Sequence, residues 1–501
     1  MLLEMHCHSS KHSSCSQIDP VSLVKSIVAK KLQGLVITEH SYLWAKEELM
    51  DLRREAEVDN SFIILAGQEA ETDVGHVRVF GADKSITGNI KLADLKKLYP
   101  EAALVWSHPF RSGKVPTKEE LLNPLFDAVE IFNSNQTIKE NYLGLAAWHK
   151  YKFAAIGGTD THSDAVAGSF PTQFDHPIEN VNDLIREIKA ARCRPFFKEI
   201  PKAGTNIIVT EITFGTKSED ETRDRVILKK FTDDGKWNKS RETLKIVKLL
   251  DEKNFNSKLF RVPKIIDVNE SEKLIIEEGQ RGSKLFDLLI QVKPEVGVRY
   301  FNMSAEWLAK FHNSGIVPFD AADPGRKEAK RFRSYAKAFE ESGSPYLKEA
   351  EEVIGLIEKK EQGFFSKERQ GFVLNHGDYH PKNIIIGQDK WQDITTLFIS
   401  VIDFDNAMFF HRAFDVGYFL AQFENQFAQY PAITKNYKEK DFINAYMRNS
   451  ENLEENFLKH VDFFKIRANL SIASFLIRVG KGESIEMKNI MSKCMAYVRN
   501  R

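Results

Sequence analysis

From the amino terminus to about residue 200, short apolar runs alternate with stretches in which apolar residues recur every three or four positions, the pattern of strands and amphipathic helices taken in turn. Asp19-Pro20 suits a helix start, a capping carboxylate followed by proline at the first helical position. Leu23, Val24, Ile27 and Val28 continue at helical spacing, and Gly34 suits the end. Strand-like runs follow at 35–38, 62–65, 76–80, 103–106, 128–132 and 153–156. Around 196–206 the pattern breaks at a Pro/Gly segment, which reads as a linker. Beyond it come hairpin-like strands at 207–214 and 225–231, a helix carrying Arg241 and Glu242, a strand near 273–277, and then mostly amphipathic helices. This predicts a small β-rich lobe and a larger helical lobe, with the charged stretch 348–360 as a solvated helical face.

Most of the early runs are followed by polar residues able to bind metal: Glu39-His40, Glu69, His108, Asn133, Asp160 and His162. In a parallel α/β barrel, residues at the carboxyl ends of strands converge on one rim, so this recurrence is what a barrel active site would produce. With His6, His8 and His76 the set reads as a multinuclear metal centre. Neutral imidazoles suit zinc, manganese or iron, and a carboxylate such as Glu69 can bridge two ions.

A second constellation lies in the helical lobe: His376-Gly377-Asp378-Tyr379-His380-Pro381-Lys382-Asn383, followed twenty residues later by Asp403. Asp378 can orient an attacking hydroxyl and accept its proton, while Asn383 and Asp403 can hold divalent metal against nucleotide phosphates. The strand 226–229 ends in Lys229, which suits a nucleotide-binding lysine, with Glu242 on the next helix where its partner carboxylate belongs. Adjacent strand residues face opposite ways, so either Lys229 or Lys230 points into a cleft, and the spacing favours Lys229.

At 501 residues the length prior gives roughly three domains of ~150 residues. The 71 basic and 71 acidic side chains cancel, so no global field draws the chain to nucleic acid or to an anionic membrane. Four scattered cysteines argue against a disulfide framework and for a reducing compartment, with cytoplasm the expectation. No apolar stretch of about 20 residues predicts a membrane span.

The first 200 residues resemble the PHP (polymerase and histidinol phosphatase) family in His6/His8, Thr38-Glu39-His40, Gly67-Gln68-Glu69, Ser107-His108-Pro109 and Gly158-Thr159-Asp160-Thr161-His162. The resemblance implies a distorted (β/α)7 barrel holding two or three metal ions (zinc, manganese or iron) and hydrolysing phosphoesters with a metal-activated hydroxide. By position it implies His6, His8, Glu69 and Asp160 at one ion, Glu69, His76 and His108 at a second, and His40 and His162 at a third. The family's further ligand after His-x-His has two candidates here, His12 and Cys15, and the Asp of Thr-Asp-His is Glu39. Arg111 either neutralises a substrate phosphate or makes a structural ion pair.

The loop 373–386 with Val401-Ile402-Asp403-Phe404-Asp405 resembles the aminoglycoside phosphotransferase and choline kinase family over about 290 residues. Ala305-Glu306-Trp307-Leu308-Ala309-Lys310-Phe311-His312, Ile275-Ile276-Glu277-Glu278-Gly279 and Phe414-Asp415-Val416-Gly417 support it. The resemblance implies a bilobal protein-kinase-like α+β domain in which Asp378 is the base, Asn383 and Asp403 ligate magnesium, Lys229 binds ATP phosphates and Glu242 orients Lys229. His376 and Asp415 are expected to brace the loop. The phosphate-covering turn 215–222 departs from the pattern, with one glycine and several acids.

The expected whole is a phosphoesterase domain at 1–200 and an ATP- and magnesium-dependent kinase domain at 206–501. Its substrates would be a phosphoester and a small alcohol or amino alcohol. A hydrolase with a regulatory pseudokinase lobe is one alternative. A nucleic-acid processing factor is another, against which neutral charge and the lack of a basic stripe count.

Overall fold

The computed structural model describes the chain except residues 205, 217–223, 318–323, 368–370, 391–392 and 501. Two compact units emerge: Met1–Thr232 with Ile266–Gly279, and Asp233–Ile265 with Gln280–Arg501.

The first unit is mixed α/β. Its main sheet contains β1 (Leu2–Cys7), β2 (Gly34–His40), β3 (Ile63–Thr72), β4 (Gly75–Phe80), β5 (Ala103–Trp106), β6 (Ala128–Phe132), β7 (Ala155–Gly157), β8 (Thr172–Phe174) and β9 (Cys193–Pro195). They run in the order β7-β6-β5-β4-β3-β2-β1-β8-β9. The pairs β1–β2, β2–β3, β5–β6 and β6–β7 are parallel, whereas β3–β4 and β4–β5 are antiparallel. The sheet nearly closes, because the chain leaving β7 returns to β1. The Asp160 N–H donates to the His6 carbonyl at 2.7 Å and the His8 N–H to the Thr161 carbonyl at 3.2 Å. Strands such as β2 and β6 read as continuous apolar runs because both faces are buried.

The helix Pro20–Ala29 starts as expected, with the Asp19 carboxylate accepting from Ser22 N–H at 3.1 Å. Gly34 does not end it. The helix stops near Lys31, which has φ 61°, and Gly34 opens β2, where a side chain would collide with the backbone of Ile63 on the next strand. Strand β3 runs through Glu69 to Thr72 and turns directly into β4, so Glu69 lies within a strand instead of following one, and His76 opens its strand as the run 76–80 had it.

The segment marked as a linker is instead β10 (Phe197–Ala203), the edge strand of a second sheet with β11 (Ile207–Phe214), β12 (Arg225–Phe231), Leu274–Glu278 and Ile265–Asn269. Pro201 fits there because an edge strand can spare an N–H. This sheet shares a core with the nine-stranded one: Ile212, Phe214, Val226 and Ile276 pack with Val129, Phe132, Leu145 and Phe170. Of the expected phosphate-covering turn, Gly215 and Thr216 are bonded to Phe196 and Ser169, and 217–222 lie outside the described residues.

The second unit is mostly helical. The strands Leu397–Val401 and Ile384–Gln388 form an antiparallel pair flanked by Phe260–Arg261 and Ser283–Lys284, and Phe372–Asn375 pairs with Met408–His411. Around them pack long helices, among them Pro294–His312, Ala413–Gln426 and Phe457–Arg478. The charged stretch 348–360 lies in the helix Leu347–Lys367, which exposes Lys348, Glu351 and Glu352 and buries Ala350, Val353 and Ile357. Among the described residues no helix is long and apolar enough to cross a membrane.

Candidate functional site

The first unit gathers all eight sequence-predicted metal residues. His6 and His8 end β1 and follow it, Glu69 lies within β3, His76 opens β4, and Asp160 and His162 follow β7. Three clusters emerge in which one ligand atom per residue could meet an ion: His6, His8, Glu69 and Asp160; Glu69, His76 and His108; and His8, His40 and His162.

Glu69 is the hub. Its Oε1 lies 3.2 Å from His6 Nε2, 3.4 Å from His108 Nε2 and 3.5 Å from His76 Nδ1. Its Oε2 lies 3.4 Å from His40 Nδ1 and 3.5 Å from His8 Nε2. Neither oxygen makes a hydrogen bond, nor do His6 Nε2, His76 Nδ1 or either ring nitrogen of His8, although all are buried. Buried polar atoms without partners are costly, and here they face one another. Ligand bonds of 2.0–2.1 Å at tetrahedral angles put two donors roughly 3.3 Å apart, close to the separations seen. The residues therefore fit divalent metal.

Their supports fit too. His6 Nδ1 is 3.0 Å from Glu130 Oε1, and His162 Nδ1 is 2.9 Å from the Asp160 carbonyl. With the proton on Nδ1 in each contact, Nε2 would be left to ligate, the usual carboxylate–histidine or carbonyl–histidine arrangement of metal sites. Burial opposes protonation of His6, but Glu69, Glu130 and Asp160 outweigh it and push the imidazole up to about 10. The field that draws a proton there would equally draw a divalent cation. At the other face, burial and the neighbouring His8 lower His40 to about 4, leaving it neutral and able to ligate.

Sequence reasoning passed over Glu130 and Arg78, both fully buried. Glu130 also accepts from the His108 N–H at 2.8 Å and Asn133 Nδ2 at 3.1 Å, and pairs with Arg78 Nη2 at 3.0 Å. A carboxylate inside an otherwise apolar strand (Ala-Val-Glu-Ile-Phe) was the available signal. Gly158 is required beside it, since a side chain there would strike Glu130 and His6. Glu39 is held by Ser9, Ser13 and the Trp44 indole N–H, so it braces the loop after β1. His12 bonds Glu48 at 3.0 Å and stacks on Tyr42. Arg111 donates to Asp160 Oδ2 at 3.2 Å while its side chain stays 42% exposed at the rim, compatible with both of its expected roles.

In the second unit the predicted loop is tightly braced. The Asp415 carboxylate accepts from the His376 N–H at 2.6 Å and the Gly377 N–H at 2.9 Å. His376 spends both ring nitrogens, accepting from the Asp378 N–H at 3.3 Å and donating to the Ile402 carbonyl at 3.1 Å. Gly377 has φ 79°, and a side chain there would collide with the Asn406 carbonyl. Asn383 Nδ2 donates to the Asp378 carbonyl at 3.1 Å, leaving its own oxygen for a cation. Ile384 pairs with Val401, so Asn383 and Asp403 lie at the same end of that hairpin. Asp403 adopts φ 68°, as His108 and Asp160 adopt 35° and 53°, and such strain in non-glycine residues gathers at functional sites. Tyr418, which sequence reasoning missed, donates to Asp378 Oδ1 at 2.7 Å.

Lys229 belongs to the first unit, where it pairs with Glu277 at 3.0 Å. Glu242, in the helix Asp234–Glu252, pairs with Lys245 at 2.8 Å. A further cluster, His411, Glu454 and His460, was not foreseen. There the Ala413 N–H donates to His411 Nδ1, so the proton sits on Nε2, 3.2 Å from Glu454, and a protonated nitrogen cannot ligate.

Residues 217–446 match the phosphotransferase enzyme family. This phosphotransferase region contains Asp378, Asn383, Asp403 and Tyr418, and residues 139–193 match the PHP-associated family. No curated protein matches the chain. Among solved structures, the chain is similar to an ethanolamine kinase of Plasmodium vivax at 14% identity, covering 60% of this chain and 82% of that one, with a TM-score of 0.38. A spectinomycin phosphotransferase solved with ADP and spectinomycin matches at 14% identity, covering 61% and 93%, with a TM-score of 0.37. A macrolide 2'-phosphotransferase of Brachybacterium faecium matches at 12% identity, covering 60% and 91%, with a TM-score of 0.32.

Proposed function

We propose that the protein is a bifunctional enzyme: a metal-dependent phosphoesterase in residues 1–200 and an ATP-dependent small-molecule kinase in residues 206–501. On this reading the nearly closed nine-stranded sheet is a distorted (β/α)7 barrel. The observation that carries the hydrolase is the buried Glu69 carboxylate, ringed by five imidazoles and free of hydrogen bonds. His6, His8, Glu69 and Asp160 would hold one divalent ion, Glu69, His76 and His108 a second, and His8, His40 and His162 a third. Such ions supply a Lewis acid and a hydroxide nucleophile at neutral pH. The chain's own part is to orient the ligands through Glu130 and the Asp160 carbonyl, and to offer Arg111 at the rim to a phosphate oxygen.

In the phosphotransferase region Asp378 accepts the proton of an acceptor hydroxyl as it attacks the γ-phosphate of ATP. Asn383 and Asp403 would hold magnesium, which neutralises charge on the phosphates. The acceptor is an alcohol or amino alcohol, and the setting cytoplasmic. The match of residues 217–446 to the phosphotransferase family supports this half, together with the braced Asp378 loop. The test incubates γ-labelled ATP and magnesium with a metabolite extract and the protein, with D378A as control. Label on a small molecule only with the unmodified protein supports the kinase, and equal label in both refutes it. The hydrolase half is tested by metal analysis and by release of phosphate from generic phosphoesters, and a metal-free, inactive protein would refute it.

A further inference from the structure

Along the helix Ala413–Gln426, three polar side chains one turn apart lead away from Asp378. Tyr418 donates its hydroxyl to Asp378 Oδ1 at 2.7 Å, Gln422 Nε2 donates to the Tyr418 oxygen at 3.1 Å, and Gln426 Nε2 donates to Gln422 Oε1 at 3.2 Å. All three are half-buried, and spacing of four residues puts them on one face. The rail ends on unspent hydrogen-bonding capacity, since Gln426 Oε1 is buried and makes no hydrogen bond. On the same helix Asn425 donates to Asn469 Oδ1 at 3.1 Å, while the Asn469 Nδ2 group is buried without a partner. One acceptor and one donor are thus left unmet, which costs free energy.

Charge decides what kind of ligand. The helix has two carboxylates, and both are committed. Asp415 holds the loop amides, and Glu424 is hydrogen-bonded to Lys493 and ion-paired with Lys465 at 3.5 Å. A cationic acceptor would give up its hydration to phenol and amide groups, with no carboxylate of this helix left to receive it. Hydroxyls, which both donate and accept, match an amide rail at every position.

We propose that Tyr418, Gln422 and Gln426 line the acceptor subsite of the phosphotransfer site, that this subsite takes an uncharged polyhydroxylated compound, a sugar or polyol, and that Tyr418 is a positioning residue for Asp378. The proposal rests on the kinase reading and narrows it. Tyr418 holds Oδ1 and Asn383 Nδ2 lies 3.4 Å from Oδ2, the oxygen that receives the acceptor's proton. As the acceptor oxygen bonds to the γ-phosphorus, the bond to the β-bridging oxygen breaks, ADP leaves with that electron pair, and the released proton passes to Asp378.

The test measures ADP release by the full-length chain with magnesium and ATP against two panels: neutral sugars and polyols, and ethanolamine, choline and aminoglycosides. Transfer to members of the neutral panel is expected. With the best acceptor, Gln422→Glu should raise its KM at least tenfold and leave KM for ATP unchanged. Tyr418→Phe should lower kcat about tenfold with both KM values and the melting temperature unchanged, a split that a merely structural tyrosine would not give. Transfer confined to the cationic panel, or an unaltered acceptor KM in Gln422→Glu, overturns the subsite alone. No transfer to either panel overturns the proposal, and absence of Mg-ATP binding by calorimetry in the same sample overturns the kinase reading with it.

Discussion

Replacing Glu130 with glutamine tests whether the buried carboxylate behind the histidines governs metal binding. The substitution keeps the shape and removes the charge. Glu130 meets four buried groups: His6 Nδ1 at 3.0 Å, the His108 N–H at 2.8 Å, Asn133 Nδ2 at 3.1 Å and Arg78 Nη2 at 3.0 Å. An amide has one accepting oxygen, so at least one of these donors loses its acceptor. Loss of a carboxylate behind a ligating histidine typically lowers metal affinity roughly 10–100-fold, which is about 1.4–2.7 kcal/mol. Separately, Arg78 is fully buried, and stripping a buried ion of its counter-charge costs about 3–5 kcal/mol. The two effects read out in different experiments. Competition of Zn²⁺ or Mn²⁺ against a chromophoric chelator gives the affinity, and urea unfolding of the metal-free protein gives the stability. Weaker metal binding together with lower apo stability is expected. Metal affinity within twofold of the parent would refute the role assigned behind His6, and an unchanged unfolding free energy would refute the buried pairing with Arg78.

Asp378→Asn should lower phosphate transfer by about 10²–10⁴-fold, since proton acceptance by a positioned side chain contributes on that order, and radiolabel transfer to the acceptor measures it. Stripping metal with a chelator should lower the unfolding midpoint of the first unit in calorimetry, because an ion held at a hundred times its Kd contributes about 2.7 kcal/mol; a midpoint that does not move would count against a metal centre. Glu361→Ala should destabilise the second unit by about 3–5 kcal/mol in denaturant titration, because the fully buried Arg467 guanidinium loses the carboxylate it meets at 2.5 Å.

Strands β2 to β7 were legible because burial on both faces writes them as largely apolar runs, whereas β8 and β9, three residues each, were too short to stand out. The cluster of candidate metal ligands was legible because histidines stood at or near the ends of those runs. What escaped notice was polar and interior. Glu130 and Arg78 look like ordinary charges in sequence, and only folding shows that each is buried with specific donors or acceptors. Strand β10 was hidden by Pro201, a residue that argues against a strand everywhere except at an edge. Gly34 misled for a related reason: a missing side chain marks a helix end and a close strand crossing equally well. In the second unit the loop from His376 to Asn383 was legible as a motif. Tyr418, forty residues downstream of Asp378, had no spacing rule to single it out.

The shared core of the first unit also bears on how this chain can be cut and recombined. Phe132 and Phe214 meet with ring centroids 4.9 Å apart, one on a strand of the nine-stranded sheet and the other on a strand of the small β-rich lobe. A gene fragment beginning at residue 206 would lose β10 and bare Ile212, Phe214, Val226 and Ile276, each worth about 1.5–3 kcal/mol of burial. Natural exchange of modules would pay the same penalty, so the join that is easiest to see in sequence is a poor place for a recombination breakpoint. The candidate metal cluster and the strand bearing Lys229 belong to one folded unit, which a cut at that join would divide.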